Sequence, residues 1–194
     1  MATIPVWFKL LYTLGVLVIV AIYWVRHSPV NFLWFSDIAL IGAVPAMWLD
    51  NAFLASTLNV AVLIPELLWN VDYAGRLILR RRITGLTEYM FDPKLPLWLR
   101  TLSLFHVPLP FVLLWMVYAY GYVDSGLPGA IVLALVVLPL SYAIGPREKN
   151  INWVLGPARI QTRFHPLLYL ALLTLGFVAV IFVPTHFLLT ALFA

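Results

Sequence analysis

The 194-residue chain is 63% hydrophobic and only 10% charged, where a soluble domain carries about a quarter charged residues, so a water-soluble fold is excluded. At roughly 20 residues per crossing there is room for about six spans and for no sizeable extramembrane domain. The net charge of +4 comes from basic residues beside apolar spans, where topology explains them without nucleic acid, and the absence of Cys removes disulfides, thiolate metal sites and a cysteine nucleophile.

Six apolar segments follow in chain order: Val6 to Val25, Phe32 to Leu49, Ala52 to Trp69, Leu97 to Tyr120, Leu127 to Ile144 and Leu167 to Leu189. Each is long enough to cross about 30 Å of hydrocarbon as a helix, the one open-chain structure that satisfies its own backbone there. The expected fold is therefore all-α, a polytopic bundle of six transmembrane helices in one domain covering 1–194. The first segment follows a single Lys9 and is not succeeded by a small-x-small cleavage pattern in Val25 to Asn31, which predicts a retained helix rather than a signal peptide. Trp7, Trp24, Trp34, Trp48, Trp69, Trp98 and Trp153 fall near segment ends, as an interfacial aromatic belt requires.

Connections between successive spans alternate sides. The loops after the first, third and fifth spans hold Arg26, Arg76, Arg80, Arg81, Arg82, Lys94, Arg100, Arg147, Lys149, Arg159 and Arg163, while the opposite face has only Lys9. Because Lys and Arg resist translocation, this split puts the odd loops in the cytoplasm and both termini on the non-cytoplasmic side. The stretch Gly75 to Arg82 is basic and amphipathic; it suits a topology anchor, or a segment lying in the headgroup layer.

Ionisable groups inside a bilayer cost several kcal/mol each and need a partner, a wet cavity or a function. Counting from the basic side, Asp37 in the second span, Glu66 in the third and His106 in the fourth reach about the same depth, near 9 to 12 Å. Ser103 shares a helical face with His106, and Asn70 shares one with Glu66; Ser36, Ser141, Tyr142, Asn150 and Asn152 surround the layer. Pro65, Pro108, Pro110 and Pro139 at similar depth free backbone carbonyls. The expectation is a polar pocket open to the cytoplasmic leaflet, against the simpler reading that the three ionisable groups fasten helices to one another or pair with Arg76 and Arg147. In such a pocket His106 is the proton carrier, Asp37 its orienting partner, and Ser103 or Ser36 a nucleophile unless an activated water attacks directly. Asp37, Glu66 and His106 could alternatively hold a divalent metal, though no spacing rule supports one. His186, near the outer surface, reads as an interfacial residue.

The stretches Trp34 to Asp37, Pro65 to Asp72, Gly85 to Asp92, Ser103 to Pro110, Leu138 to Tyr142 and Asn150 to Pro157 together resemble an uncharacterised bacterial family of integral membrane-associated proteins. The likeness covers most of the chain, implies a bacterial inner-membrane location and supplies no activity. The layout is more distantly similar to the six-helix intramembrane lipid hydrolases and acyltransferases of the androgen-induced type, which pair a Thr or Cys in the second helix with a His in the fourth. His106 matches the fourth-helix position; Asp37 stands where the nucleophile would be, which points to hydrolysis by activated water rather than covalent acyl transfer.

Two functions follow as expectations. One is a lipid ester hydrolase or acyltransferase with His106, Asp37, Ser103 and Glu66 as its catalytic set and membrane lipid as its partner. The other is a non-catalytic accessory or assembly subunit whose aromatic helices pack against other membrane-protein subunits or pigments. A transporter using Asp37 and Glu66 as a relay is disfavoured by the lack of an internal repeat. No cofactor is implied by any motif.

Overall fold

Backbone groups set among this many apolar side chains can pair only with one another, and the chain does so through helices. The computed structural model describes residues 3–157 and 160–193, and among these there is no strand. Eight α-helices succeed one another: α1 (Val6–His27), α2 (Phe35–Trp48), α3 (Ala52–Ile78), α4 (Leu97–Leu102), α5 (Leu109–Tyr120), α6 (Gly126–Ile144), α7 (Pro166–Gly176) and α8 (Val183–Phe193). A 3₁₀ turn at Ser103–His106 joins α4 to α5, and a π segment at Phe177–Phe182 joins α7 to α8. Each of these pairs therefore forms one interrupted rod. Five rods are long and apolar enough to cross a membrane: α1, α3, α4 with α5, α6, and α7 with α8. The sixth, α2, is apolar but has only 14 residues.

Several boundaries differ from expectation for identifiable reasons. α2 begins at Phe35 rather than Phe32, because Pro29 opens a 3₁₀ turn over Pro29–Leu33 and Trp34 is extended. α3 runs nine residues past Trp69 to Ile78, since its inward stripe continues through the buried Asp72 and Gly75. The fourth rod is broken where Pro108 and Pro110 cannot donate backbone hydrogen bonds. Asn51 caps α3 by accepting from Leu54 N at 2.9 Å, which with Asp50 at φ +46° makes the turn from α2 into α3 abrupt.

α3 is the central helix, packed against α2, α5, α6 and α8. Small residues bring it close to α6: a Cβ on Gly126 would lie 2.6 Å from Ser56 Cβ and 2.9 Å from the Ser56 carbonyl carbon. Ser56 Oγ also accepts from Val123 N at 3.0 Å. Such close backbone approach is how membrane helices associate when lipid tails remove the hydrophobic drive. α1, by contrast, buries only Lys9, Val16 and Tyr23, a stripe of seven-residue spacing.

Contacts sort the connections onto two ends of the bundle. At one, Lys9 Nζ bonds Asp50 Oδ1 at 2.7 Å, Tyr120 donates to Met47 O at 3.3 Å and Tyr122 meets His186 Nδ1 at 2.6 Å. At the other, Lys149 Nζ donates to His27 O, and Arg26 lies over the Trp98 ring. The described basic loop residues belong to this second end; Arg159 lies outside the described residues. Arg76 is not paired with an acid but sits over Phe91, 5.1 Å from the ring centroid.

Candidate functional site

The break in the fourth rod is what delivers His106. Residues i and i+3 eclipse in a 3₁₀ turn, so Ser103 and His106 project from one side of the Ser103–His106 turn. The two side chains nonetheless find different partners. His106 Nδ1 lies 2.8 Å from Glu66 Oε2 on α3, and Ser103 Oγ lies 2.9 Å from the Tyr23 hydroxyl on α1. Asn70, one helical turn beyond Glu66, donates to both Glu66 O and His106 O at 2.8 Å, stapling the broken segment to α3.

The imidazole is sandwiched. Trp69 stacks on it at 4.7 Å between centroids with planes 18° apart, and Phe105 at 4.2 Å and 23°. Glu66 is 3% exposed and the His106 side chain 12%. Among the described residues no group hydrogen-bonds His106 Nε2, and that atom is not fully enclosed. A proton on Nδ1 shared with the carboxylate therefore leaves Nε2 as the accessible basic nitrogen.

Asp37 is not the histidine's partner. It is buried in the first turn of α2, where the helix dipole favours a carboxylate, and its Oδ2 accepts from Asn31 Nδ2 at 3.0 Å. It lies within electrostatic reach of Glu66 and of Lys149, the latter a loop lysine whose ammonium is pulled below its ordinary value by burial. The expected Asp37 to His106 contact is thus replaced by Glu66 to His106. The broken segment lies against α3, where Asn70 holds His106 O one turn from Glu66, while Asp37 is held by Asn31. No set of three or more His, Asp or Glu side chains among the described residues is arranged to hold a metal ion.

Three contributors were not singled out from sequence. Tyr23 reaches Ser103 from α1, and only its place in the Lys9, Val16, Tyr23 stripe signals an inward position. Trp69, expected in the interfacial belt, is buried against His106. Tyr89, from the loop after α3, puts its hydroxyl beside Ser103 and Trp69, where burial pushes it above the ordinary tyrosine value and keeps it a donor. Two loop residues that sequence did place near this layer brace it. Asn152 donates to Leu33 O at 2.7 Å and Ser141 Oγ at 3.2 Å while accepting from Phe35 N at 3.3 Å. Asn150 accepts from Leu155 N at 2.8 Å and donates to Gly156 O at 2.7 Å. Asn150, Asn152 and Trp153 all have positive φ, a conformation that Asn tolerates best among non-glycine residues.

Comparison of the chain with protein-family models, with curated proteins and with solved structures gives no match in any of the three.

Proposed function

We propose that this chain is a multi-pass protein of the cell membrane that hydrolyses a lipid ester with His106 as general base. The observation that carries the reading is the carboxylate to imidazole pair of Glu66 and His106, at 2.8 Å and largely buried, with Nε2 left accessible. Fastening alone is a weak reason to bury such a pair, since interhelical hydrogen bonds in membranes average about 0.6 kcal/mol. Six crossings, with α2 as the short one and the basic end in the cytoplasm, account for the clustering of Lys and Arg at one end. The Glu66 and His106 pair then lies in the cytoplasmic half of the bilayer.

Glu66 acts as the positioning carboxylate: it holds the Nδ1 proton, orients the ring and offsets the charge of the imidazolium that forms. His106 Nε2 removes a proton from water as its oxygen attacks the ester carbonyl carbon. The same proton is returned to the leaving alkoxide, so one acid and one alcohol are produced and the imidazole is regenerated. Ser103 is engaged with Tyr23 rather than with His106, which favours attack by water over a serine nucleophile. Asp37, bonded to Asn31 at the start of α2, takes no part in the proton transfer.

The test is turnover of phospholipid and acylglycerol esters by the purified protein in lipid nanodiscs. General-base catalysis contributes about 10² to 10⁴ in rate, so His106→Ala should reduce turnover by at least about 100-fold, measured at a temperature below the thermal transition of the variant. Glu66→Gln should give a smaller loss, and Ser103→Ala should retain activity. Full turnover in His106→Ala would refute the proposal.

A second reading, a non-catalytic accessory subunit of a membrane complex, is favoured by the ring sandwich and the Asn70 staple, which suit a structural histidine. It expects no ester turnover in wild type and co-purification with other subunits in fixed ratio.

A further inference from the structure

The broken segment that carries His106 also walls an apolar cavity of about 150 Å³. Tyr12, Val16 and Ile19 of α1 line one side, Leu40 of α2 another, and Phe105, Pro108 and Leu109 of the fourth rod the third. Its single polar side chain is already committed, because the Tyr12 hydroxyl donates to Leu40 O at 3.0 Å. Water entering it would find no partners. Apolar cavities of about this size stay dry and take up apolar molecules instead.

The cavity is continuous with the outer surface of α1. Gly15 sits at its edge, and a Cβ built there would meet nothing within 4 Å. On either side of Gly15, Leu11, Leu14 and Val18 are exposed, a face that acyl chains cover in a bilayer. Phe105 stacks directly on the His106 ring. The void thus runs from the lipid-facing surface to Phe105, whose ring covers the imidazole.

We infer that this cavity takes the terminal methylenes of one acyl chain of a bilayer phospholipid, which enter past Gly15 and end against Phe105. The inference rests on the membrane-lipid reading above, since the occupant is a lipid of the surrounding bilayer. Binding and turnover are separable, so the two proposals can fail independently.

The full chain is reconstituted in phosphatidylcholine vesicles containing a phosphatidylcholine with a photoactivatable diazirine in one acyl chain, irradiated, and mapped by peptide mass spectrometry. Leu40 and Leu109 are 3% and 1% exposed, so adducts on them report entry into the cavity, whereas adducts on Leu11 and Leu14 report lipid surrounding the helix. Wild type should label both sets. Gly15→Trp, which places an indole at the mouth of the void where a Cβ meets nothing, should reduce labelling of Leu40 and Leu109 at least about tenfold and leave Leu11 and Leu14 unchanged; Gly15→Leu should give an intermediate loss. Labelled Leu40 and Leu109 in a protein without ester turnover would uphold the cavity and remove the hydrolase. Wild-type protein without adducts on Leu40 and Leu109, or adducts indifferent to both Gly15 substitutions, would overturn the inference.

Discussion

Asp72 offers a quantitative test of how the site is braced. Its carboxylate, 2% exposed near the end of α3, collects five donors from the following loop. Oδ1 accepts from Ile83 N at 3.0 Å, Thr84 N at 2.7 Å and Gly85 N at 3.1 Å, and Oδ2 from Thr87 N at 2.9 Å and Thr87 Oγ1 at 2.6 Å. Gly85 at φ +88° permits the tight wrap. Two residues further on, Tyr89 reaches Ser103 and Trp69, so the loop is tied to the site through Asp72. In Asp72→Ala the exposed Ile83 and Thr84 amides can turn to water, but Thr87 is 1% exposed, and its two donors would each be stranded at a cost of about 1 to 3 kcal/mol. A conservative total of about 3 kcal/mol raises the open population of the loop by about two orders of magnitude, at 1.4 kcal/mol per decade. Amide hydrogen exchange in detergent or nanodiscs should therefore show a roughly hundredfold loss of protection at Thr87. Trypsin cleavage at Arg80 to Arg82 should accelerate in parallel, because proteolysis follows the open population when reclosing is fast. Asp72→Asn keeps one acceptor oxygen and should fall between. Protection at Thr87 within about threefold of wild type in Asp72→Ala would refute the reasoning.

Other substitutions probe the packing and the ends of the bundle. Gly126→Val would force its Cβ to 2.6 Å from Ser56 Cβ, and separating α3 from α6 should lower stability by about 1 to 3 kcal/mol or more, read as a lower thermal midpoint with Gly126→Ala affected less. Asn152→Ala removes the bonds to Leu33 O, Ser141 Oγ and Phe35 N and should destabilise by about 2 to 4 kcal/mol; a midpoint unchanged within a degree would show that the loop does not brace α2. Lys9 Nζ, at 2.7 Å from Asp50, holds that carboxyl below its ordinary value. A folded pKa below the unfolded one gives stability that is present above the unfolded value, about 3.9, and lost as pH falls through the lowered folded value. Asp50→Asn should flatten that acid limb in melts recorded from pH 5 downward, by a small amount because Asp50 is exposed.

Much of the architecture is legible in the linear chain because its cause is local. A run of apolar residues must be helical in hydrocarbon whatever surrounds it, so the existence and order of the rods follow from hydropathy. Asn51 before Ala52, and Pro108 with Pro110 in the fourth rod, announce a cap and a break by their own chemistry. The depth argument likewise brings Glu66 and His106 to one layer.

What only the tertiary structure decided is pairing, because partner choice depends on rotation about each helix axis and on lengths that capping at a distance controls. Asp72 gathers the loop amides and lets α3 run to Ile78, a contact across 15 residues that no periodicity displays. The 3₁₀ turn and the Asn70 staple hold His106 to Glu66 instead of Asp37, while Asp37 is satisfied by Asn31 from the turn before α2. Trp69 and Tyr23 look alike in sequence to the other aromatics of the belt. Burial between helices, which is a property of the assembled bundle and not of the residue, makes one the floor of the histidine and the other the partner of Ser103.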